Sequence, residues 1–378
     1  MRIAIMGIRG IPANYGGFET FAEELAPRLA ERGHDVTVYG RSNNIRYEGR
    51  EYRGVRLVIL PTVSHKYLDT PVHTLLSVAH SVFDRYDVVL VCNGANAIFT
   101  PVPRLTGAKI VLNVDGIERL RKKWGLLGRL WYRLGEKLAT RFPDAIVSDA
   151  RVIHEYYLRE YGIDSNLIPY GASFHPKETT ETLQRFGVQP REYVLYVSRL
   201  EPENNAHVVI EGFRRVETDN RLVIVGDAPY APRYKEHLHE LANRDPRVVM
   251  TGFVYGEGYR ELQSHAFCYV QATEVGGTHP ALIESMRHGN AIIANGTPEN
   301  LEVIGGTGLL YRFNDSEDLA HQLRRLLENP RMVDRLRSLA EKRAERRYSW
   351  DAVTVGYEEL FCRLSGAPAT ATRGAEIA

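Results

Sequence analysis

Cysteine, net charge and long apolar runs are all scarce in this 378-residue sequence. The three cysteines, Cys92, Cys268 and Cys362, are widely spaced and form no Cys-x-x-Cys pair, which argues against a zinc or redox site and favours reduced thiols. A formal net charge of +1 gives no general attraction to nucleic acid. No apolar run approaches the roughly 20 residues that span a bilayer, and Met1–Gly7 leads straight into an apolar strand. We therefore expect a cytoplasmic protein that is neither exported nor inserted.

Several catalytic motifs are absent as well. No Asp-x-Asp pair occurs, so the usual sequence sign of a metal ion bridging a diphosphate is missing. We expect chemistry without a metal ion, in which cationic side chains and helix N-termini neutralise a leaving group. The patterns Gly-x-x-x-x-Gly-Lys-Ser/Thr, His-Glu-x-x-His and Gly-x-Ser-x-Gly are also absent, which argues against phosphate-loop kinases, zinc proteases and common hydrolases. No resident cofactor is expected.

The apolar runs that are present fall into two series, separated by helix-length amphipathic segments. The first series comprises Ile3–Met6, Val36–Tyr39, Val55–Leu60, Val88–Val91, Lys109–Val114 and Ala145–Val147. The second comprises Glu192–Val197, Leu222–Val225, Val248–Met250, Cys268–Val270 and Ala291–Ala294. This alternation is typical of parallel sheets with crossover helices, so the predicted fold class is α/β with two Rossmann-like, doubly wound domains. Ligands of such domains bind beyond the carboxyl ends of the strands.

A boundary between the domains is predicted where Pro169–Ala172 and the polar stretch 175–181 interrupt the periodicity. We expect an N-terminal domain over residues 1–175 and a C-terminal domain over 185–345. A helix over 346–363 is predicted to follow, and the small polar residues 364–378 predict a flexible tail.

Glycines precede a predicted helix after the first strand of the first series and after the fourth strand of the second. Gly16 and Gly17 begin an amphipathic helix, where bare amide groups suit a phosphate; a plain tight turn explains them equally well. Their spacing is not Gly-x-Gly-x-x-Gly, which weakens a nicotinamide interpretation. In the second half, Gly276-Gly277-Thr278 leads into a helix that holds Glu284, a carboxylate placed to accept hydrogen bonds from a ribose diol. The alternative for Glu284 is an ordinary surface glutamate.

Two charged residues follow predicted strands directly. Arg199 comes just after Glu192–Val197, and its planar guanidinium matches a diphosphate; a surface pair with Glu201 or Glu203 is the alternative. Asp115 follows Lys109–Val114 and is placed to orient a hydroxyl group or to stabilise a developing cation. An ordinary Asp-Gly turn is the alternative there.

A basic segment follows Asp115. It contains Arg119, Arg121, Lys122, Lys123, Arg129, Arg133, Lys137 and Arg141, interleaved with leucines and aromatic residues and opposed only by Glu136. Basic and apolar residues on one helical segment suit an anionic membrane face or a lipid-linked phosphate. A solvated helix face over core leucines is the alternative. Single-stranded nucleic acid is a weaker interpretation, because no second basic groove accompanies the segment, and no nucleic-acid partner is expected.

Several motifs agree in order and spacing with one known family. They are Gly16-Gly17 with Glu19, Gly33-His34-Asp35-Val36, Asn166-Leu167-Ile168-Pro169-Tyr170-Gly171, Val197-Ser198-Arg199-Leu200, and Trp350 with Tyr357. Together they resemble the retaining GT-B glycosyltransferases of family four over essentially the whole chain. The resemblance implies two domains that face a central cleft, a nucleotide held by the C-terminal domain, an acceptor held by the N-terminal domain, and a C-terminal helix that returns to the N-terminal domain. It also implies transfer through an oxocarbenium-like sugar with retention of anomeric configuration.

Four further stretches narrow the resemblance. Leu68-Asp69-Thr70, Asn113-Val114-Asp115-Gly116, Arg199–Asn205 and Val275-Gly276-Gly277-Thr278 are similar to a branch that contains rhamnosyltransferases of surface-polysaccharide assembly. This implies a hexosyltransferase that uses dTDP-rhamnose or a UDP-sugar and a lipid-linked saccharide acceptor. The basic segment described above predicts a peripheral location at the inner face of the plasma membrane.

The resemblance also assigns roles to individual residues. Donor binding falls to Gly16, Gly17, Arg199, Asn204, Asn205, Gly276, Gly277, Thr278 and Glu284. Acceptor binding falls to Lys66, Asp69, Asp115 and Arg121, and catalysis to Asp115 and Arg199. The oligomeric state is not predicted.

This chain departs from the broader family at three positions. Asn204 stands where a lysine is usual, and Gly276 stands where a glutamate is usual, with Glu274 two positions earlier. Asp115 replaces a histidine often found after the fifth strand. Three alternatives stay open: a sugar-nucleotide epimerase of the same fold, a non-catalytic nucleotide-sugar-binding protein, which the missing lysine and glutamate charges favour, and, third, a nicotinamide oxidoreductase.

Overall fold

The computed structural model describes residues 1–13, 16–65, 68–114, 116–121, 124–227 and 231–368, in which strands and helices alternate along the chain. The strands are β1 (Arg2–Met6), β2 (Asp35–Arg41), β3 (Glu51–Tyr52), β4 (Val55–Leu60), β5 (Val88–Cys92), β6 (Lys109–Val114), β7 (Ala145–Ser148), β8 (Asn166–Leu167), β9 (Tyr193–Val197), β10 (Arg221–Val225), β11 (Val248–Gly252), β12 (Cys268–Gln271), β13 (Ala291–Asn295) and β14 (Leu309–Tyr311). The helices are α1 (Gly17–Glu31), α2 (Asp69–Asp84), α3 (Pro101–Arg104), α4 (Leu126–Ala139), α5 (Arg151–Tyr161), α6 (Glu181–Phe186), α7 (Ala206–Arg214), α8 (Pro232–Ala242), α9 (Gly256–His265), α10 (Pro280–Arg287), α11 (Pro298–Ile304), α12 (Ser316–Leu327), α13 (Pro330–Arg347) and α14 (Trp350–Ser365). Short 3-10 helices cover Gly94–Phe99, Glu118–Leu120 and Pro202–Asn204.

The chain forms two compact units. The first contains Met1–Arg119, Leu126–Tyr170 and the chain from Trp350 onward, and the second contains Leu120–Gly125 and Gly171–Ser349. Residues 369–378, which make up most of the predicted tail, lie outside the described residues.

The first unit is built on an eight-stranded sheet in the order β3-β4-β2-β1-β5-β6-β7-β8. Its neighbouring strands are parallel except for the antiparallel pair of β3 and β4. Residues Ile3–Met6 and Val88–Cys92 are fully buried, because helices cover both faces of a parallel sheet. Since β1 pairs with both β2 and β5, the strand order reverses at β1, and the carboxyl ends of β1 and β5 diverge there.

Helix α14 packs against α1 inside the first unit. The ring of Phe21 on α1 lies 5.3 Å from that of Tyr357 and 6.3 Å from that of Trp350. The buried carboxylate of Glu358 accepts a hydrogen bond of 2.6 Å from the Arg32 guanidinium, just beyond α1. Aromatic packing and a charge pair therefore attach the last helix to the first.

The second unit is built on a six-stranded, fully parallel sheet in the order β11-β10-β9-β12-β13-β14. Its core is aliphatic and includes Val194, Leu222, Ile224 and Ile293, all at most 1% exposed. The strand order reverses at β9, which pairs with β10 on one side and β12 on the other. Ligands of doubly wound sheets bind at such a reversal.

The predicted α/β class with two Rossmann-like units is confirmed, and every apolar run predicted as a strand coincides with one, although β9 begins one residue after Glu192. The stretch Asn166–Gly171, which resembles an interdomain strand of the family, contains β8. Strands β3 and β14 were not predicted, because runs of two or three residues show no periodicity. The predicted helical segment 119–141 is shorter in the structure, where α4 begins at Leu126 after Gly125, a residue that disfavours helix propagation. Among the described residues, no helix combines the length and apolarity that crossing a membrane requires.

Candidate functional site

A small open cavity of about 20 Å³ lies in the first unit at the reversal of strand order. Its lining residues come from the start of α1, from the loops after β5 and β6, and from α4 and α5. They are Phe18, Asn93, Gly94, Gly116, Glu118, Tyr132, Glu136 and Tyr157. The cavity therefore occupies the position in which doubly wound domains hold ligands.

A buried carboxylate, Glu136, forms one wall of this cavity. Its Oε2 accepts hydrogen bonds from the hydroxyls of Tyr156 at 2.9 Å and Tyr161 at 3.0 Å, and the Arg119 Nε lies 3.1 Å from its Oε1. Burial, together with the charge of Glu136, raises the pKa of Tyr161, so that phenol stays protonated. The hydrogen bonds from the two phenols and the opposite charge of the guanidinium stabilise the buried carboxylate. They also fix the side chains that form this wall of the cavity.

Asp69 lies beside a second buried cluster of the first unit. Its Oδ2 accepts a hydrogen bond of 2.6 Å from Arg41, which is 3% exposed and also donates to the Thr70 hydroxyl at 3.1 Å. His73, one turn further along α2, contacts the Gly40 carbonyl through Nε2 at 3.0 Å. The buried Oδ1 of Asp69, Nε of Arg41 and Nδ1 of His73 have no hydrogen-bond partner among the residues that the structure describes. The predicted acceptor residue Asp69 is thus fixed by an arginine at the end of β2.

Gly16 and Gly17 begin α1, as predicted from the sequence. Gly16 is the extended N-cap residue, and the buried carboxylate of Glu19 in the first turn accepts a hydrogen bond of 2.9 Å from the Arg9 amide. A side chain at Gly16 would approach Glu19 Oε2 to 2.8 Å, so glycine leaves room for this carboxylate. Glu19 therefore joins the loop after β1 to the start of the helix.

Two predicted residues, Lys66 and Asp115, lie outside the described residues. Arg121, a predicted acceptor residue, is buried and belongs to the segment Leu120–Gly125 that groups with the second unit. Burial and the charge of Arg121 lower the pKa of His279 to about 4. Arg121 is therefore close to the loop that precedes α10, and its acceptor role stays a prediction.

Arg199 lies at the carboxyl end of β9, where the strand order of the second unit reverses. The loop is held by hydrogen bonds from the Ser198 amide to Val225 and from the Leu200 amide to Asp227. Gly226 allows this close approach: its φ is +138°, and a side chain there would meet the Ser198 carbonyl at 1.8 Å. The half-buried Arg199 guanidinium makes no hydrogen bond or ion pair with another described residue, so the surface pair with Glu201 or Glu203 does not form.

The side-chain amides of Asn204 and Asn205 are both used within the protein. Asn204 donates to the Arg199 carbonyl at 2.7 Å, and Asn205 donates to the Ala272 carbonyl at 3.0 Å and to Asn314 Oδ1 at 2.9 Å. Asn314 in turn donates to Glu274 Oε2 at 2.6 Å. These bonds join the loops that follow β9, β12 and β14; donor binding by the two asparagines stays a prediction.

The loop Gly276-Gly277-Thr278 is buried and precedes α10, whose N-cap is His279 and whose first residue is Pro280. The backbone of Gly276 has a φ of +155°, and a side chain there would approach His279 Cε1 to 2.6 Å. The N-terminus of a helix favours anions.

Glu284 lies in the second turn of α10. Its Oε2 accepts a hydrogen bond of 2.5 Å from the Tyr259 hydroxyl, which itself accepts one from Gln263 at 3.0 Å. Burial and the charge of Glu284 raise the pKa of Tyr259. Tyr259 therefore holds the carboxylate that was predicted to meet a ribose.

Sequence reasoning missed several residues of these sites, chiefly Glu136, Arg41, Tyr259 and Asn314. Asn93 and Gly94 carried a usable signal, since they directly follow the apolar strand β5. Among the described residues no group of three His, Cys, Asp or Glu side chains is arranged to hold a metal ion. Metal independence stays a prediction.

Comparison with known proteins finds a family match in each half of the chain. Residues 191–329 match the glycosyl transferases of group 1. Residues 1–173 match a domain of unknown function, DUF1972. The matched group 1 region contains Arg199, Gly276–Thr278 and Glu284.

Two curated relatives resemble part of this chain. An alpha-D-kanosaminyltransferase of Streptomyces kanamyceticus is 28% identical over 178 residues, which are 46% of each chain. An O-antigen chain mannosyltransferase B of Escherichia coli is 24% identical over 185 residues, 47% of this chain and 48% of the relative. The chain thus spans about half the length of the curated relatives it matches.

Solved structures resemble nearly the whole chain. Sucrose-phosphate synthase from Thermosynechococcus elongatus has a TM-score of 0.82 at 19% identity, with 97% of this chain and 100% of that chain covered. Anabaena HepE in complex with UDP and glucose has a TM-score of 0.80 at 16% identity, with 96% and 99% covered. These likenesses show the fold, which is the GT-B fold.

Proposed function

We propose that this protein is a group 1 glycosyltransferase that moves a sugar from a nucleotide diphosphate to a saccharide acceptor. One observation carries the proposal: the Arg199 guanidinium, which has no partner among the described residues, lies at the strand reversal of the unit that contains the group 1 match. An arginine in that position is suited to a diphosphate, because its planar fork binds two phosphate oxygens at once.

The second unit holds the donor in this proposal. Arg199 and the amide groups of Gly276–Thr278 bind the diphosphate, and Glu284, oriented by Tyr259, binds the ribose. The solved complex of HepE with UDP and glucose supports a nucleotide-sugar ligand for the fold. Within the alternatives that the sequence resemblance implies, the donor is dTDP-rhamnose or a UDP-sugar.

The first unit holds the acceptor. Its cavity offers aromatic surface from Phe18 and Tyr132 beside the polar groups of Asn93 and Glu118, a combination suited to a saccharide. A relative from Campylobacter jejuni, 23% identical over 172 residues, transfers N-acetylgalactosamine to a diphospho-undecaprenol-linked sugar, which supports a lipid-linked acceptor. Association with a membrane surface would follow from such an acceptor.

The reaction breaks the bond between the anomeric carbon and the diphosphate oxygen. Arg199 and the start of α10 stabilise the charge that develops on the leaving diphosphate, with no metal ion. The acceptor hydroxyl attacks the oxocarbenium-like sugar from the same face, gives its proton to the leaving phosphate, and anomeric configuration is retained. Asp115 orients the attacking hydroxyl.

Arg199→Ala tests the donor site. We expect turnover with dTDP-rhamnose or a UDP-sugar to fall by at least about tenfold and the thermal stabilisation by dTDP or UDP to shrink, with the melting temperature of the free protein unchanged. The matched control is Arg335→Ala, which removes an exposed arginine from α13. Equal turnover in the two variants would remove Arg199 from the site.

A thermal-shift panel of UDP, dTDP, GDP, ADP and NAD separates the remaining candidates. Stabilisation by NAD alone overturns the proposal in favour of an oxidoreductase. Conversion of the donor sugar without an acceptor favours an epimerase, and nucleotide binding without release or transfer of sugar favours a binding protein.

A further inference from the structure

Helix α4 exposes apolar side chains on its outer face. Leu126 is 75% exposed, Leu127 82%, Leu130 53% and Leu134 43%. Their spacing places them on one stripe of the helix, since residues three or four apart are neighbours on a helix surface. Exposed apolar side chains grouped in this way mark a surface that another apolar phase covers.

Positive charges form a parallel stripe beside these leucines. Arg129, Arg133 and Lys137 are all exposed and recur every four residues. None of the three pairs with a carboxylate among the described residues. We call the seven residues together the α4 face: Leu126, Leu127, Arg129, Leu130, Arg133, Leu134 and Lys137.

The opposite side of α4 is fixed against the protein. Gly135 lies where a side chain would meet the Gly94 carbonyl at 2.7 Å, and the neighbouring Glu136 is buried in its cluster with Tyr156. Leu138 also packs on this side, against the core of the first unit, so the inner side of the helix is occupied and the four exposed leucines lie on its outer side. Tyr132, one of the aromatic residues of the basic segment, lines the cavity.

We propose that the α4 face docks on an anionic lipid bilayer, with its leucines among the acyl chains and its cations at the headgroups. The positive charge of the α4 face favours an anionic bilayer as its partner. Three cations without a carboxylate partner among the described residues lie beside four leucines, and together they complement a surface that is both apolar and anionic. An apolar protein groove would leave those cations unpaired at its rim.

The proposal deepens the proposed function and rests on it for its biological meaning. One helix lines the acceptor cavity with Tyr132 and Glu136 and presents the α4 face on its other side. A helix is only about 10 Å across, so a saccharide whose lipid remains in the bilayer can reach that cavity. The α4 face is then the surface that brings the protein to a lipid-linked acceptor.

Flotation of the full-length protein with vesicles tests this inference. The vesicles contain phosphatidylcholine alone or equal parts of phosphatidylcholine and phosphatidylglycerol. We expect preferential binding to the anionic vesicles, weakened by salt. The triple change Arg129→Ala, Arg133→Ala and Lys137→Ala should lower that binding at least tenfold, because each cation near an anionic surface contributes about fivefold.

Matched controls separate the α4 face from charge and apolarity in general. Arg335→Ala, Lys342→Ala and Arg346→Ala remove three exposed cations from α13 and should leave binding unchanged. Leu126→Gln with Leu127→Gln should weaken binding, whereas Leu105→Gln, at an equally exposed position, should not.

Equal recovery of the wild type from neutral and anionic vesicles overturns the inference, as does an equal loss in the two triple variants. If the wild type binds neither kind of vesicle, the inference is also overturned, and a protein partner for the α4 face is favoured instead. Thermal shift with dTDP or UDP is measured on the same samples, so failure of membrane docking is distinguished from failure of the donor site.

Discussion

Replacement of Gly135 by alanine tests how α4 is positioned over the acceptor cavity. The new methyl group would lie 2.7 Å from the carbonyl oxygen of Gly94 and 3.2 Å from the Cα of Ala95. Both are backbone atoms of the 3-10 helix after β5, so neither can swing aside as a flexible side chain would. Either α4 or this segment must shift, and Gly94 also lines the cavity.

Two opposing effects decide the sign of the change. Alanine favours a helix interior over glycine by about 1 kcal/mol, whereas forcing a methyl group into a filled site costs about 1–3 kcal/mol. We expect Gly135→Ala to lower the free energy of unfolding of the first unit by about 1 kcal/mol. Gly356→Ala on α14 is the control, because its methyl group would meet Ile168 at an ordinary 3.5 Å. That variant keeps the helix gain of about 1 kcal/mol.

Urea unfolding measures the difference. In a Trp124→Phe background the remaining tryptophans, Trp131 on α4 and Trp350 on α14, both report on the first unit. With a slope of about 2 kcal/mol per M, the midpoints of the two variants should differ by about 1 M. If Gly135→Ala and Gly356→Ala stabilise equally, α4 does not lie as closely on the loop after β5 as the structure has it, and the reasoning fails.

Two further predictions concern buried charge in the first unit. Glu358→Ala should lower the free energy of unfolding by about 3 kcal/mol, because it leaves Arg32 and the buried His34 without their shared carboxylate. Urea unfolding measures this effect, with the exposed Glu359→Ala as the control. Equal effects of the two changes would contradict a stabilising role for the Glu358 carboxylate. Burial, with the charge of Arg41, lowers the pKa of His73 to about 4, below the ordinary value near 6.5. Above pH 6.5 this histidine is neutral in both states, and between pH 6.5 and 4 only the unfolded state takes up the proton, so stability should fall with falling pH. Unfolding midpoints measured across that range give the slope of stability against pH. His73→Gln should lower this slope by the equivalent of about one proton. If the slope stays as steep as in the exposed control His237→Gln, His73 titrates normally.

The sequence predicted the parts of the sites that lie close together along the chain. Arg199 follows an apolar strand at once, and Gly276-Gly277-Thr278 directly precedes a helix. Both positions could be predicted from the sequence, because the end of a strand and the start of the following helix are local patterns. The helix start at Gly16 and Gly17 was predicted for the same reason.

Partners distant in the sequence could not be predicted in this way. Asn205 bonds to Asn314, which is 109 residues away, and Arg41 holds Asp69 across 28 residues. From the sequence, Glu136 was recognised only as the single acidic residue that opposes the basic ones. In the structure it is the centre of a buried cluster with Tyr156 and Tyr161. Such pairs depend on which strands become neighbours in the sheet.

The sequence by itself determined the α/β class, the succession of strands and the glycine and arginine loops at their ends, because apolar periodicity and backbone freedom are local properties. Only the tertiary structure decided which side of α4 faces the protein. The sequence shows leucines and cations on that helix, and leucines ordinarily turn inward. Gly135, Glu136 and Leu138 occupy the inner side of α4, so Leu126, Leu127, Leu130 and Leu134 face outward, because a filled interior accepts only the side chains that fit it.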